Sequence, residues 1–392
     1  MPPFLLLVHN YNMHSYENHI AIIGAGISGI TLGCILKKAK IPVVIFEKSN
    51  HTSEYGAGIS ISPNGIKILK QLKVYDEIIS LSSNPKKADF YSLNKKINTF
   101  DIDVVTTSRH VLYKSLYEKY ISLGGKILFD HELCDIDFDK LEISFLGEKV
   151  YQVKHVASCD GIKSICRKKI EHKQEPLYSG YSVWRAIVDK KQKNTKTFLG
   201  PNHHIVTYPI SDSKISFVAA IKTQKKYKES WRSPGTYDEL KNDLILANKK
   251  SYSFINENTN LFKWGVFTRP HLKNISYKNL TLLGDAAHPI VPFIGQGGCL
   301  ALEDAYAFGN LLIKYNADIN KAQKAYENIR IKRIKAVTNL SLRQGYLNHI
   351  SNPFIIFLRN CVMRYLPSLA IKSIRKKVWN YDLESEIRDY RY

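Results

Sequence analysis

The chain has 392 residues, and 44% of them are apolar, which is enough to fill the cores of two or three domains of ~100 to 200 residues each. Its 57 lysines and arginines outnumber its 35 acidic residues and give a net charge of +22. Because the basic residues are spread along the chain and form no block with interleaved aromatics, we predict no nucleic-acid partner. The six cysteines form no CxxC pair and no cysteine–histidine cluster, so no metal site and no dithiol redox centre is predicted.

Residues 1–17 contain a short apolar run with no basic region before it, which is typical of neither a secretory signal nor a membrane span. We predict a disordered lead-in there. No other stretch reaches the roughly 18 uncharged apolar residues that a spanning helix needs. Scattered cysteines indicate a reducing compartment, so the predicted location is cytoplasmic.

The first glycine-rich turn follows the apolar strand HIAIIG at residues 19–24. Gly24, Gly26 and Gly29 form a GxGxxG motif, and residues with helical apolar spacing come next. The first glycine permits a tight turn, the second admits a pyrophosphate, and the third lets helix and strand pack closely. A second strand, PVVIFE, ends in Glu47, whose carboxylate suits a ribose diol. The pattern predicts a dinucleotide-binding unit.

A second glycine-rich turn lies far along the chain. The strand NLTLLGD at 279–285 ends in Asp285, and PFIGQGGCLALEDAYAFGNLL then places several glycine amides at a helix start. Two such turns suit one long cofactor held at both ends. FAD has this shape: the first turn takes the AMP and pyrophosphate, and the second takes the ribityl chain and the flavin ring, whose reduced form carries negative charge that backbone amides stabilise.

With these motifs the sequence resembles the single-component FAD-dependent aromatic hydroxylases, a group that includes p-hydroxybenzoate, salicylate, 3-hydroxybenzoate and ubiquinone-pathway hydroxylases. Its three fingerprints occur in order: GAGISG (24–29), CDGIKSICR (159–167), and GDAAHP with GQGGCLALEDA (284–305). The resemblance extends from about residue 18 to 345. One departure is Ser158-Cys159, where the family usually has Gly-Ala.

The resemblance implies FAD as cofactor, NADH or NADPH as a transient reductant, and O2 as co-substrate. It implies that Glu47 binds the adenosine ribose, Arg109 lies near the pyrophosphate and ribityl chain, and Asp285 contacts the ribityl hydroxyls. Asp160 belongs to the motif associated with FAD and nicotinamide binding, and Pro292 borders the flavin ring. The full set of implied cofactor residues is Gly24, Gly26, Ser28, Gly29, Glu47, Gly58, Arg109, Asp160, Asp285, Gly295, Gln296, Gly297 and Gly298.

The predicted fold class is α/β. A discontinuous Rossmann-like FAD-binding domain carries an inserted antiparallel-sheet substrate domain and C-terminal helices. The segments of the substrate domain are rich in aromatic and β-branched residues, which predicts the successive strands of an antiparallel sheet. The resemblance implies that this sheet roofs the substrate pocket. The predicted boundaries are 1–17 for the lead-in, 18–172 and 271–345 for the FAD-binding domain, 173–270 for the substrate domain, and 346–392 for the C-terminal helical segment.

Candidate catalytic residues lie in the segment HHIVTYPI. His204 and Tyr208 are four residues apart, so on a strand they share one face, while His203 points the other way. A neutral imidazole is suited to accept a phenolic proton near pH 7. Similar pairs occur in hydroxybenzoate members of the resembled group, and Pro292 completes the predicted catalytic set. A packing role for the histidine is the alternative interpretation.

Arg185, in YSVWRAIV, has two interpretations: a bidentate partner for a substrate carboxylate, or a member of an ion pair at a sheet edge. The tail at 352–379 also has two interpretations. It alternates apolar clusters with basic residues and has almost no acid, which suits weak peripheral contact with an anionic membrane or a helix packed on the flavin domain.

We predict an NAD(P)H-dependent FAD monooxygenase that hydroxylates a small aromatic or similarly electron-rich substrate through a flavin hydroperoxide, as the resemblance implies. The alternatives are an FAD-dependent reductase or other non-hydroxylating flavoenzyme acting on an isoprenoid-like or lipophilic substrate, and a flavin-binding protein without turnover. The oligomeric state is left open by the sequence.

Overall fold

The computed structural model describes residues 16–50, 57–93, 95–171, 175–225 and 233–391. Residues 1–15 of the predicted lead-in therefore lie outside the described residues. The first strand already begins at Tyr16, so the lead-in does not extend to residue 17 as predicted.

Strands and helices alternate in the first half of the chain, and helices dominate its end. The strands are β1 (Tyr16–Ile23), β2 (Val43–Phe46), β3 (Gly58–Ile61), β4 (Lys87–Ser92), β5 (Lys95–Asp101), β6 (Val105–Ser108), β7 (Ile127–Leu128), β8 (Leu133–Asp137), β9 (Glu142–Phe145), β10 (Lys149–Ser158), β11 (Leu177–Asp189), β12 (Thr195–Gly200), β13 (His203–Pro209), β14 (Lys214–Lys222), β15 (Pro234–Gly235), β16 (Leu261–Thr268), β17 (Ser276–Tyr277) and β18 (Leu280–Leu282). The helices are α1 (Ile27–Lys38), α2 (Pro63–Gln71), α3 (Tyr75–Ser80), α4 (Arg109–Ser122), α5 (Ile165–Ile170), α6 (Tyr237–Asp243), α7 (Gly297–Lys314), α8 (Ile319–Asn348), α9 (Pro353–Tyr365), α10 (Pro367–Ile374) and α11 (Leu383–Asp389).

The first sheet has the order β17-β18-β10-β1-β2-β7. Its strands from β18 to β7 are parallel, and β17 adds an antiparallel edge. All four residues of β2 are buried, as expected for a β-branched run covered on both faces. Because parallel strands share one carboxyl edge, the turns after β1, β10 and β18 meet there, and these turns carry the three fingerprints of the sequence.

The second sheet has the order β15-β16-β11-β14-β13-β12-β4-β5. It is antiparallel except for the parallel pair β12 and β4. Residues 87–101, which the sequence assigned to the FAD-binding domain, form β4 and β5 and complete this sheet, so that assignment was wrong for them. Long-range strand pairing has no local signature, which explains the error. The other domain boundaries stay a prediction.

Side chains alternate between the two faces of the second sheet. Trp184 and Phe217 point outward and pack under α6 with Leu240. Val183 and Trp264 point inward, toward the turn that precedes α7. The inner face therefore lies over the carboxyl edge of the first sheet, and the space between them is the place for a site.

The chain ends in the short helices α9 to α11. Among the described residues, no single helix has both the length and the apolar character needed to cross a membrane. One bent pair, Pro353–Tyr365 with Pro367–Trp379 at 103°, meets these requirements by length and composition taken together.

Candidate active site and cofactor cleft

The first glycine turn is built by close backbone contacts. Gly24 has φ of +100°, and a Cβ there would lie 2.5 Å from the carbonyl oxygen of Cys159. A Cβ on Gly29 would lie 2.0 Å from the carbonyl oxygen of Gly24, so helix α1 can start against the strand only with glycine there. A Cβ on Gly26 meets nothing within 4 Å, which leaves open space at the helix start. The three glycines thus have the three environments that the motif predicts.

Glu47 lies beside this turn. Its Oε2 accepts a hydrogen bond from the backbone N–H of Ala25 at 2.8 Å, and its Oε1 accepts one from Ser49 at 2.9 Å. The carboxylate is therefore oriented by the chain itself, at the end of β2. Ser28 is buried between the two glycine turns, since its Cβ lies 3.4 Å from the position that a Cβ on Gly284 would take.

Asp160 is held by hydrogen bonds within its own motif. Its Oδ2 accepts a hydrogen bond from the backbone N–H of Ile165 at 2.9 Å, at the start of α5, and its Oδ1 accepts one from the hydroxyl of Ser158. The carboxylate thus holds the start of α5. The Ser158 side chain, which departs from the usual glycine, is buried and turned toward this acid.

Asp285 lies close enough to Arg109 for the two charges to interact. The Asp285 side chain is exposed, but it faces a cleft that the surrounding protein encloses. Desolvation there raises the pKa of its carboxyl, against the opposing charges of His288 and Arg109. Arg109 opens helix α4, where its backbone N–H donates to Ala57 at 2.8 Å. An acid in such a cleft suits a ligand that offers hydroxyl donors.

The second glycine turn forms an open cradle. Pro292–Ile294 make one 3₁₀ turn, and Gly295 then takes φ of +66°. A Cβ on Gly295 or Gly297 would meet nothing within 4 Å. The Gln296 side chain points into the protein, where its Nε2 donates to Ser62 at 2.5 Å and its Oε1 accepts from Asn64 at 3.0 Å. Gln296 therefore anchors the turn, and a Cβ on Gly298 would meet Ile59 at 2.7 Å.

Sequence reasoning missed the buried charges beneath this turn. Asp304 accepts hydrogen bonds from His288, from the N–H of Gly284 at 2.8 Å, and from Arg330 at 2.7 Å. Glu303 pairs with Arg330 at 2.8 Å and Arg333 at 2.7 Å. The sequence contained a signal for these ion pairs, because two adjacent acids lie in the motif and two arginines lie three residues apart in α8. These ion pairs fix the turn to α7 and α8.

The inner face of the second sheet forms the opposite wall. His204 and Tyr208 are buried on the same face of β13, while His203 lies on the other face with its Nδ1 2.9 Å from the carbonyl oxygen of Pro201. A Cβ on Gly58 would lie 2.8 Å from the ring of Tyr208. Gly58, predicted to bind the cofactor, thus lies where β3 meets the second sheet. The His204 ring lies 5.8 Å from that of Phe293, in the second glycine turn.

Arg185 lies on this inner face too. Strand β11 is flanked by β14 and β16, so the predicted sheet-edge position was wrong. The guanidinium stacks over Trp264 at 4.8 Å from the ring centroid. Desolvation, against the opposing effect of Tyr208 and with a smaller contribution from Arg109, lowers the pKa of Arg185 to about 10. Burial raises the pKa of Tyr208, against the charge of Arg185. A cation and a phenol thus share the wall.

These features fit FAD. The cleft has open backbone at both glycine turns. The Glu47 carboxylate lies beside the first turn, and the exposed Asp285 carboxylate lies beside the second. The fold and cleft define a dinucleotide-binding flavoprotein with a substrate sheet above its second turn. The chain belongs to the family described as FAD binding domain, whose model matches residues 17–341.

Comparisons with known proteins narrow the class. The chain is 24% identical over 357 residues to 3-hydroxybenzoate 6-hydroxylase of Klebsiella oxytoca, covering 84% of this chain and 88% of that protein. It is 25% identical over 362 residues to a 3-amino-4-hydroxybenzoate 2-monooxygenase of Streptomyces platensis, covering 86% and 90%. The fold matches that of a salicylate hydroxylase substrate complex with a TM-score of 0.81 at 21% identity, covering 95% and 97% of the two chains. The protein is an FAD-dependent monooxygenase, and its two-sheet α/β fold is confirmed.

Proposed function

We propose that this monooxygenase hydroxylates a small phenolic ring that carries a carboxylate or other anionic group. The observation that carries the proposal is the placement of Arg185, stacked over Trp264 and electrostatically coupled to Tyr208, on the inner face of the second sheet, opposite the second glycine turn. A desolvated guanidinium binds a carboxylate more strongly than an exposed one does. The relatives named above act on amino- and hydroxybenzoates, which supports the same choice.

FAD, when bound and reduced by NADH or NADPH, supplies the activation of O2. The protein must position the substrate ring and accept the proton of its phenolic hydroxyl. Arg185 would hold the anionic group. His204 would accept the proton of the phenolic hydroxyl, because a phenolate ring carries more electron density than a phenol. Tyr208 would donate to the substrate oxygen, and Pro292 would border the flavin ring. The apolar walls from Val183, Trp264 and Phe293 would exclude water.

The cofactor contacts are part of the proposal. Gly26, Ser28 and Glu47 would hold the AMP end, and Arg109 and Asp285 the ribityl chain. The open backbone at Gly295 and Gly297 would face the flavin ring. Gln296 and Asp160 would act indirectly, since both side chains hold the protein around the cleft.

The test is a substrate panel with the FAD-loaded enzyme. 3-Hydroxybenzoate, salicylate and 6-hydroxynicotinate are compared with neutral phenol, and oxidation of NADH and NADPH is followed with the mass of the product. We expect substrate-stimulated oxidation and a product one oxygen heavier for at least one hydroxylated acid. Oxidation that yields only peroxide with every ring, while a lipophilic alkene is reduced, would favour the reductase instead.

We also propose that the protein touches an anionic membrane surface through α9 and α10. These helices expose an unusually large apolar face, called here the C-terminal apolar face: Phe354, Ile355, Phe357, Leu358, Val362, Tyr365, Leu366 and Leu369. Phe354 is 68% exposed and Tyr365 is 70% exposed. Patches of this kind on a monomer mark interaction surfaces.

The positive charge around the C-terminal apolar face favours an anionic partner. Residues 350–381 contain no acid, and five exposed basic residues accompany the apolar face: Arg364, Lys372, Arg375, Lys376 and Lys377. Arg359 is excluded because it is buried, with Nη1 donating to Leu347 at 3.0 Å and Nη2 to Ser92 at 2.9 Å. Exposed apolar residues beside basic ones suit anionic lipid headgroups. A cytoplasmic location stays a prediction.

Vesicle co-sedimentation tests this contact. We expect binding to vesicles with phosphatidylglycerol, weaker binding to pure phosphatidylcholine, and loss of binding in the double variant Phe354→Ser, Phe357→Ser. The matched control is Leu146→Ser, another exposed apolar residue, at 66% exposure, in the first-sheet region. Equal binding to both vesicle types, or a concentration-dependent dimer that the double variant abolishes, would assign the face to another occupant.

A further inference from the structure

A pair of buried histidines joins the second sheet to the long helix α8. Nδ1 of His204 lies 3.0 Å from Nε2 of His349, and the two ring centroids are 4.8 Å apart. Both residues are 4% exposed. His349 directly follows the last residue of α8, about 145 residues from His204 along the chain. The pair thus forms only in the folded protein, and no local sequence pattern marks His349.

The hydrogen bonds of His349 determine which of its nitrogens carries the proton. Nδ1 of His349 lies 2.6 Å from the carbonyl oxygen of Gly345, and a carbonyl can only accept. Nδ1 must therefore be protonated. In a neutral imidazole Nε2 is then the acceptor, so the hydrogen between the rings belongs to Nδ1 of His204. Nε2 of His204 is left with a free lone pair.

A second backbone carbonyl lies beside the pair. The carbonyl oxygen of Ala220 lies 3.3 Å from Nε2 of His349, where a neutral ring presents a lone pair. Once His349 is protonated, Nε2 can donate to this oxygen while Nδ1 continues to donate to Gly345. Two backbone carbonyls are thus placed to stabilise a positive charge on His349.

We propose that His349 is a positioning residue that fixes the Nδ1–H tautomer of His204 and receives the substrate proton as its second station. The phenolic O–H proton passes to Nε2 of His204, and the Nδ1 proton of His204 passes to Nε2 of His349. The substrate becomes a phenolate, and the charge rests on His349 between Gly345 and Ala220. No electron is transferred. This inference rests on the proposed hydroxylation of a phenol.

The surroundings support a neutral resting pair. Burial, with smaller contributions from His203 and Lys222 and against the opposing effect of the two carbonyls, lowers the pKa of His349 to about 4. Burial, then His349 and His203, lowers the pKa of His204 as well. Tyr181 and Phe293 pack against the His349 ring at 4.9 and 5.4 Å between centroids. The pair is therefore neutral before it receives the substrate proton.

Nitrogen NMR of the FAD-loaded enzyme with ¹⁵N-labelled histidine tests the tautomer without any substrate. We expect a protonated Nδ1 and an unprotonated Nε2 at His204. In His349→Phe, which keeps a ring but removes the acceptor, His204 should change to the Nε2–H form. In His349→Gln, whose amide can accept at one end and donate at the other, the original tautomer should persist. His203→Gln is the matched control on the opposite face and should change nothing. A protonated Nε2 at His204 in the wild type overturns the proposal.

Kinetics test the second station. In His349→Gln we expect kcat for a hydroxylated benzoate to fall roughly 10- to 100-fold with KM within threefold, and the pH profile to move to higher pH, because more substrate must arrive already ionised. An aminobenzoate, which needs no deprotonation, should be affected less than threefold. Equal losses with both substrates would show a merely structural role. Failure of the wild type to hydroxylate any phenol would instead reject the proposed function, and the NMR result would still decide the tautomer.

Discussion

Arg330 and Asp304 form an ion pair that is wholly buried between α8 and α7. Nε of Arg330 donates to Oδ1 of Asp304 at 2.7 Å, and neither side chain is exposed. The same carboxylate receives the N–H of Gly284 at 2.8 Å, so the pair ties the helices to the turn that carries Asp285. Removal of one partner of such a pair leaves an uncompensated charge in the core.

Replacement of Arg330 should therefore destabilise the fold. For Arg330→Met we expect a loss of about 3–5 kcal/mol in the free energy of unfolding, measured by urea denaturation. The matched control is Lys114→Met, which breaks the exposed pair with Glu118 at 3.7 Å and should change stability by less than about 0.5 kcal/mol. Similar small losses in both variants would mean that the buried pair adds nothing beyond packing.

Stability should also depend on pH through Asp304. Burial alone would raise the pKa of this carboxyl, but His288 and Arg330 outweigh it and lower the pKa to about 2, from 3.8. A lowered pKa stabilises the folded state above the unfolded pKa, and this contribution is lost as the pH falls through 4 toward 2. It amounts to about 2 kcal/mol. Unfolding curves of the wild type and of Asp304→Asn should converge over this range; parallel curves would contradict the assignment.

Substitutions at two glycines of the first turn should have different effects, one on folding and the other on cofactor binding. Gly29→Ala places a Cβ 2.0 Å from the carbonyl oxygen of Gly24 and should reduce the free energy of unfolding by about 1–3 kcal/mol or more. Gly26→Ala meets nothing within 4 Å and should leave the apoprotein within about 0.5 kcal/mol of the wild type. Its Kd for FAD, measured by flavin fluorescence, should rise at least about tenfold, since the methyl group fills the proposed pyrophosphate position. Wild-type affinity in this variant would remove the pyrophosphate from that place.

Arg185 should select anionic substrates. In Arg185→Met we expect KM for a hydroxybenzoate to rise roughly 10- to 100-fold, as for loss of a hydrogen bond to a charged group, with little change for a neutral phenol. Lys263→Met is the matched control. It lies on the neighbouring strand but on the outer face, 5.2 Å from the Trp184 ring centroid, and should leave KM unchanged. Equal effects on charged and neutral rings would assign Arg185 to packing over Trp264.

Ser158 should matter for local stability and not for the cofactor. Its hydroxyl is buried, donates to Asp160 and lies 3.4 Å from that of Ser164. Ser158→Ala should cost about 1 kcal/mol, because one buried hydrogen bond is lost, and should leave the Kd for FAD within twofold. A large loss of FAD affinity would show that the hydroxyl reaches the cofactor after all.

The sequence by itself determined the dinucleotide-binding turn and the cofactor class. Each glycine of the first motif has a local reason that strand, turn and helix spacing already express, as Gly24 and Gly29 show. The period of two along β13 was equally local, and it placed His204 and Tyr208 on one face correctly. The meeting of the three fingerprints followed from the carboxyl edge that parallel strands share.

Only the tertiary structure decided which distant groups meet. It joined β4 to β12, which moved residues 87–101 into the second sheet. It turned Asp160 toward the start of α5, and it turned Gln296 into the core, where Ser62 and Asn64 from outside its motif hold it. It also placed His349 against His204, because α8 happens to end beside β13. Such contacts depend on packing between segments far apart in the chain, and local residue patterns carry no record of them.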